Sequence, residues 1–178
     1  MRQPYGKEIA STVTYSHPRW WASKGYMVII QDVRGMGDSE GVFNGFKQEA
    51  SDTSETHEWV RSLEECNGKL GLYGFSYQGF TQLSGELNSR PPDCLSPAMT
   101  GMCIKNHWCS DGGAYWWHNN IAWGLQIAAL KMKRENNLLD WKKIRLALEN
   151  KSYLSEGVDI LKKYDPNSFV LLWLKNLN

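Results

Sequence analysis

Leu70-Gly-Leu-Tyr-Gly-Phe-Ser-Tyr-Gln-Gly-Phe80 (LGLYGFSYQGF) decides how this chain is read, because an apolar strand pattern runs into Gly74-Phe75-Ser76-Tyr77-Gln78-Gly79 and then into a helical one. A strand-turn-helix of this kind has the form of a nucleophile elbow, in which small flanking residues let strand and helix approach while the serine hydroxyl stays exposed. Ser76 is the candidate nucleophile, and the Tyr77 backbone N–H is a candidate donor to an oxyanion formed when Ser76 attacks a carbonyl. The spacing is G-x-S-x-x-G rather than G-x-S-x-G, since Gln78 stands where the second glycine is expected and Gly79 follows it. Taken alone, these residues also fit an ordinary strand-to-helix turn.

Outward from the elbow, Asn67-Gly68 makes a turn into a strand over 69–75, and 77–87 continues as a helix. Upstream, residues 19–24 follow Pro18 and stop at Gly25, as a short helix does. The run YMVII (26–30) is the continuous apolar, β-branched pattern of a parallel strand covered on both faces, and it ends at Asp32 before the glycine-rich loop 34–41. Residues 48–63 contain no Pro or Gly and place Trp59, Val60 and Leu63 on one face of a helix, and 95–99 is a third strand. Alternating helices and strands imply a mostly parallel sheet with helices on both faces. From Ala114 the pattern turns helical, over 121–133, 138–148 and 158–164, while 168–174 is ambiguous between helix and strand.

The chain has 178 residues, 42% hydrophobic and 22% charged, within the globular range. Its formal net charge of +1 comes from scattered Lys and Arg, without the basic footprint that nucleic acid or an anionic membrane surface requires. The expected partner is a small molecule, and a homo-oligomer is left open. Nine Trp and eight Tyr are many for this length, and their crowding between Trp108 and Trp123 suggests an aromatic pocket, although large aromatics also simply pack cores. Cys66, Cys94, Cys103 and Cys109 form no CxxC pair, which favours reduced thiols and a cytoplasmic setting. No secretory signal opens the sequence, and no run reaches the ~18 apolar residues of a membrane helix. The glycines of 34–41 fit neither a dinucleotide nor a P-loop pattern, and Cys103, His107 and Cys109 have no convincing fourth zinc ligand. No metal or cofactor is expected.

Four ordered motifs carry a family resemblance. GFSYQG, with tyrosine directly after the serine, resembles the elbow of cocaine-esterase-like (CocE/NonD) and X-prolyl dipeptidyl-peptidase hydrolases. The opening RQPYGK is similar to their R-x-P-Y-x-K, which implies that the Tyr5 hydroxyl joins the oxyanion hole. Asp32, Arg34, Gly35, Gly37, Ser39, Glu40 and Gly41 match D-x-R-G-x-G-x-S-E-G. PAMTG followed by Trp108, Gly112, Gly113, Ala114 and Trp123 resembles the passage into the cap, and implies that Trp108 and Trp123 line an acyl pocket. RPPDCLSPAMTG is a residue or two shorter than the family's stretch before its strand. Family members that hydrolyse α-amino acid esters carry acidic residues before the tryptophan matched by Trp108, where this chain has Asn106 and His107, which argues against that preference.

The resemblance implies an α/β class, a partial α/β-hydrolase fold with a mostly parallel sheet over 1–113 and the beginning of a helical cap over 114–178. It implies an acyl esterase forming an acyl-enzyme on Ser76, with an X-prolyl dipeptidyl peptidase and a non-catalytic binding remnant as alternatives. In this fold the triad runs serine, acid, histidine, with the last two after the cap. The expectation is a fragment that lacks them and the family's earlier strands, and is nearly inactive alone. A local triad of His107, His118 and Asp111 is rejected, since no strand end would hold them.

Overall fold

The computed structural model describes residues 1–8 and 17–175, and the chain forms two compact units. The first comprises Met1–Phe43 and Lys47–Met102, the second Asn44–Phe46 and everything from Cys103. The second unit thus begins before Ala114, where the sequence pattern turns helical.

In the first unit, β1 (Arg2–Gln3) pairs in parallel with β2 (Gln31–Asp32), Arg2 opposite Gln31 and Gln3 opposite Asp32. Between them, α1 (Pro18–Ser23) starts on a proline, whose missing N–H is not needed in a first helical turn, and His17 Nδ1 accepts the Arg19 N–H at 3.2 Å. The glycine-rich loop after β2 is a structural turn held by Asp32, whose Oδ2 accepts the Asp38 N–H at 3.1 Å and whose carbonyl accepts the Ser39 hydroxyl at 2.6 Å. β3 (Gly71–Phe75) and β4 (Cys94–Ala98) form a second parallel ladder, Gly71 opposite Cys94 through Phe75 opposite Ala98.

Three expectations are corrected. Among the described residues the mostly parallel sheet is not one continuous sheet, because the two parallel ladders are separate and two-stranded. The run 26–30 is not a doubly covered strand. The bonds next to this run are Met1 N to the Ile29 carbonyl and Gln31 N to the Met1 carbonyl. Beyond them no strand among the described residues pairs 26–28, and Tyr26 and Met27 are 62% and 44% exposed. Finally, the helix expected over 77–87 stops at Phe80, as α3 (Tyr77–Phe80). The Gln82 amide donates to the Gln78 and Gly74 carbonyls at 3.1 and 3.3 Å and its Oε1 accepts the Ser96 N–H at 3.0 Å, while Ser84 and Gly85, poor helix formers, follow.

The helix read over 48–63 is α2 (Glu49–Ser62), but its buried face is mostly polar: Glu49, Asp52, Thr53, Ser54 and His57 join Val60. These groups are buried because Arg2 is buried with them. Its Nη1 lies 2.8 Å from Glu49 Oε2 and 2.6 Å from Thr53 Oγ1, and Asp52 also pairs with Arg34.

In the second unit a short helical turn (Lys105–Cys109) leads into a hairpin, β5 (Ser110–Asp111) against β6 (Ala114–Tyr115). Helices follow: α4 (Trp117–Arg134), α5 (Leu138–Glu149), α6 (Tyr153–Glu156), α7 (Val158–Tyr164) and α8 (Phe169–Lys175), so the ambiguous 168–174 run is helical. Their core is Ile121, Leu125, Ile144, Leu161 and Val170, each fully buried. Among the described residues no helix is long and apolar enough to cross a membrane.

Candidate active site

Ser76 stands at the junction of β3 and α3 with φ 58° and ψ −119°, a region that L-residues rarely enter. The bend is fixed from both sides: the Ser76 N–H donates to the Ala98 carbonyl of β4 at 2.9 Å, and its own carbonyl accepts the Gly79 and Phe80 N–H groups at 2.9 and 3.0 Å. Its side chain is neither fully buried nor fully exposed.

The G-x-S-x-x-G spacing has a physical explanation. A Cβ on Gly74 would stand 2.4 Å from the Gln78 Cβ, and one on Gly79 would stand 2.8 Å from the Thr100 Cβ and 3.2 Å from the Ala98 carbonyl oxygen. The second glycine is needed where α3 crosses the end of β4, one residue later than the commoner spacing puts it.

Gln78, the departure from the motif, is 2% exposed. Its Oε1 accepts the Phe75 N–H at 3.0 Å, directly before the serine, and its Nε2 donates to Gln3 Oε1 at 2.9 Å. Gln3, fully buried, donates in turn to the Gly6 carbonyl at 2.8 Å. A pair of glutamines thus couples the elbow to the turn that carries Tyr5. Sequence reasoning treated Gln78 only as an anomaly; its signal was a polar residue inside an otherwise apolar helix start.

The side chain of Tyr77 is fully buried and donates its hydroxyl to Glu49 Oε1 at 2.9 Å. Burial first, and then the neighbouring Glu49 carboxylate, hold that phenol well above its ordinary pKa, with a smaller contribution from Tyr5 in the same direction. Burial also pushes the Glu49 carboxyl up, against the opposing pull of the Arg2 guanidinium and the Tyr77 hydroxyl. The chain Arg2–Glu49–Tyr77 therefore anchors the residue after Ser76 to α2 and β1. Tyr5 itself is half-buried.

Trp108 and Trp123 lie in the second unit and stack with ring centroids 5.7 Å apart and planes 27° apart. Phe46, at 5.1 and 5.8 Å, and Phe169, 4.8 Å from Trp123, extend them into an aromatic cluster with Trp173. Of the two histidines that follow Ser76, His107 Nδ1 accepts the Cys103 N–H at 3.1 Å, and His118 Nδ1 shares a hydrogen bond of 2.8 Å with the Tyr153 hydroxyl.

A serine strained at a strand-to-helix turn, buried polar supports behind it and a D-x-R-G turn held by its own aspartate make up the geometry of the site. The chain belongs to the X-Pro dipeptidyl-peptidase (S15) family, which it matches over residues 1–178. It is also similar to a cocaine esterase of Rhodococcus sp. (strain MB1 Bresler), with 28% identity over 131 residues, 71% of this chain. That segment is 23% of the relative's own length.

Proposed function

We propose that this chain carries the nucleophile portion of a serine acyl hydrolase of the α/β-hydrolase fold. Ser76 Oγ attacks an ester or amide carbonyl and passes its proton to a general base, and the carbonyl oxygen becomes an oxyanion held by the Tyr77 N–H and the Tyr5 hydroxyl. Collapse of the tetrahedral species expels the alcohol or amine, which takes up the proton, and leaves an acyl-enzyme that water hydrolyses. Each oxyanion donor of this type contributes about 3 kcal/mol. Trp108 and Trp123 are assigned to substrate binding by family resemblance, with an apolar acyl group as the ligand their stacked rings suit.

The observation that carries this reading is the left-handed backbone of Ser76 between a parallel strand and a helix, flanked by two glycines whose positions admit no Cβ. The general base and its acid are assigned to polypeptide outside the described residues by family resemblance, in which both follow the cap. Loss of triad members costs on the order of a millionfold in turnover, so this chain alone is expected to be nearly inactive. In a longer polypeptide that supplies base and acid, a fluorophosphonate probe should label Ser76, and Ser76→Ala should abolish labelling. An unlabelled Ser76 in a folded, complete protein would overturn the assignment.

The family's name favours a second reading, cleavage of X-Pro dipeptides. Hydrolysis of proline-containing dipeptide anilides in preference to p-nitrophenyl esters would select it.

A further inference from the structure

Asn67-Gly68 is one of two Asn-Gly pairs in the chain, the other being Asn44-Gly45. An asparagine followed by glycine is open to attack on its own side-chain amide by the next backbone nitrogen, because glycine has no side chain to block the approach. In a folded protein the attack requires that this nitrogen be free and that the amide be held beside it.

At Asn67 both conditions are met. The Gly68 N–H makes no hydrogen bond among the described residues, a Cβ at Gly68 would meet nothing within 4 Å, and Asn67 is exposed. The chain is pinned on either side, by the Cys66 N–H on the Leu63 carbonyl at 3.0 Å and by the Leu70 N–H on Asp93 Oδ2 at 2.9 Å. Between these anchors the Arg90 guanidinium donates to the Gly68 carbonyl at 3.3 Å, which leaves the Gly68 nitrogen unengaged. The Asn67 side chain completes the turn: its Oδ1 accepts the Lys69 N–H at 3.0 Å, an Asx turn that folds the amide forward over Gly68. That N–H is thereby aimed at the oxygen on which negative charge gathers when the amide carbon is attacked.

The second pair lacks these conditions. Gly45 is buried, and a Cβ there would stand 2.7 Å from the Phe169 Cβ, so its backbone is packed against α8 rather than open to solvent.

We propose that Asn67 is a site of spontaneous modification, deamidation through a succinimide. The Gly68 nitrogen gives its proton to hydroxide and bonds to Asn67 Cγ, the Cγ–Nδ2 bond breaks, and Nδ2 takes up a proton and leaves as ammonia. Water then opens the ring at either carbonyl, giving aspartate or isoaspartate at position 67, and nothing is oxidised or reduced. Either product puts a negative charge on a neutral side chain, and isoaspartate also adds a methylene to the main chain just ahead of β3. The proposal is independent of the chemistry assigned to Ser76.

The test incubates the intact chain in mildly alkaline buffer and follows two tryptic peptides by mass, 62–69 and 35–47, each of which contains a single asparagine, Asn67 or Asn44. Peptide 62–69 should acquire the mass of an amide-to-acid exchange about tenfold or more faster than 35–47, since reaction at Gly45 waits on local opening. In urea the two rates should converge. Isoaspartate methyltransferase with S-adenosylmethionine should label the product in 62–69, and Asn67→Gln should remove that label, because the longer side chain closes the ring far less readily. An unchanged 62–69 in the folded chain, equal rates in the two peptides without urea, or conversion to aspartate with no isoaspartate would overturn the proposal.

Discussion

Ser76 holds a backbone conformation that is disfavoured for any residue with a Cβ, typically by about 1–3 kcal/mol. The surrounding bonds to Ala98, Gly79 and Phe80 impose it. Ser76→Gly should therefore raise the free energy of unfolding in urea by about 1 kcal/mol, part of the relief being lost to the glycine's greater unfolded-state entropy. The same substitution removes the proposed nucleophile, so stability and labelling should move in opposite directions. At Gln78 the prediction is of the other sign. Gln78→Met keeps the volume but leaves the Phe75 N–H and Gln3 Oε1 without these bonds, and buried groups so stranded cost about 1–3 kcal/mol each. A fall of about 2 kcal/mol or more in unfolding free energy is expected. An unchanged urea midpoint would mean that the glutamine bridge does not hold the elbow.

The helix α2 shows how an element can be legible in its span and illegible in its face. Absence of Pro and Gly over 48–63 locates it, yet the pattern assigns Trp59, Val60 and Leu63 to the buried side, while Trp59 is 49% exposed and His57 is 3% exposed. The buried polar face exists because Arg2, far away in sequence, supplies the charge that Glu49 and Asp52 need. His57, facing the same interior, is desolvated and also feels Arg61, Arg2 and the amino terminus, which lowers its pKa from 6.5 to about 4. As pH falls below 6.5 the unfolded chain takes up this proton before the folded one does. Stability present above pH 6.5 should therefore drain away as pH approaches 4. The amino terminus acts in the same sense between pH 8.0 and about 5. Urea midpoints should decline stepwise from pH 8 to 4, and His57→Leu should flatten the lower part of that decline.

On the scale of the whole molecule, the division into units does not follow the chain in one cut, since Asn44–Phe46 belongs with the residues from Cys103 on. Phe46 is 6% exposed and packs on Trp108, Trp123, Phe169 and Trp173 of that unit. Phe46→Ala should cost about 3 kcal/mol, read as an earlier loss of helical circular dichroism in urea. If helical unfolding were unaffected, the aromatic cluster would not be part of the unit's stabilising core.

The sequence by itself determined what local pattern encodes: short strands over 69–75 and 95–99, a helical pattern from Ala114 on, and a serine placed where strand turns to helix. The tertiary structure alone decided the role of Gln78, the polar interior of α2 and the early end of α3. Each of these depends on a partner remote in the chain, as Gln78 depends on Gln3 across a separation of 75 residues. Hydrophobic periodicity records which residues avoid water, but it carries no information about which distant donor or acceptor satisfies a buried polar group.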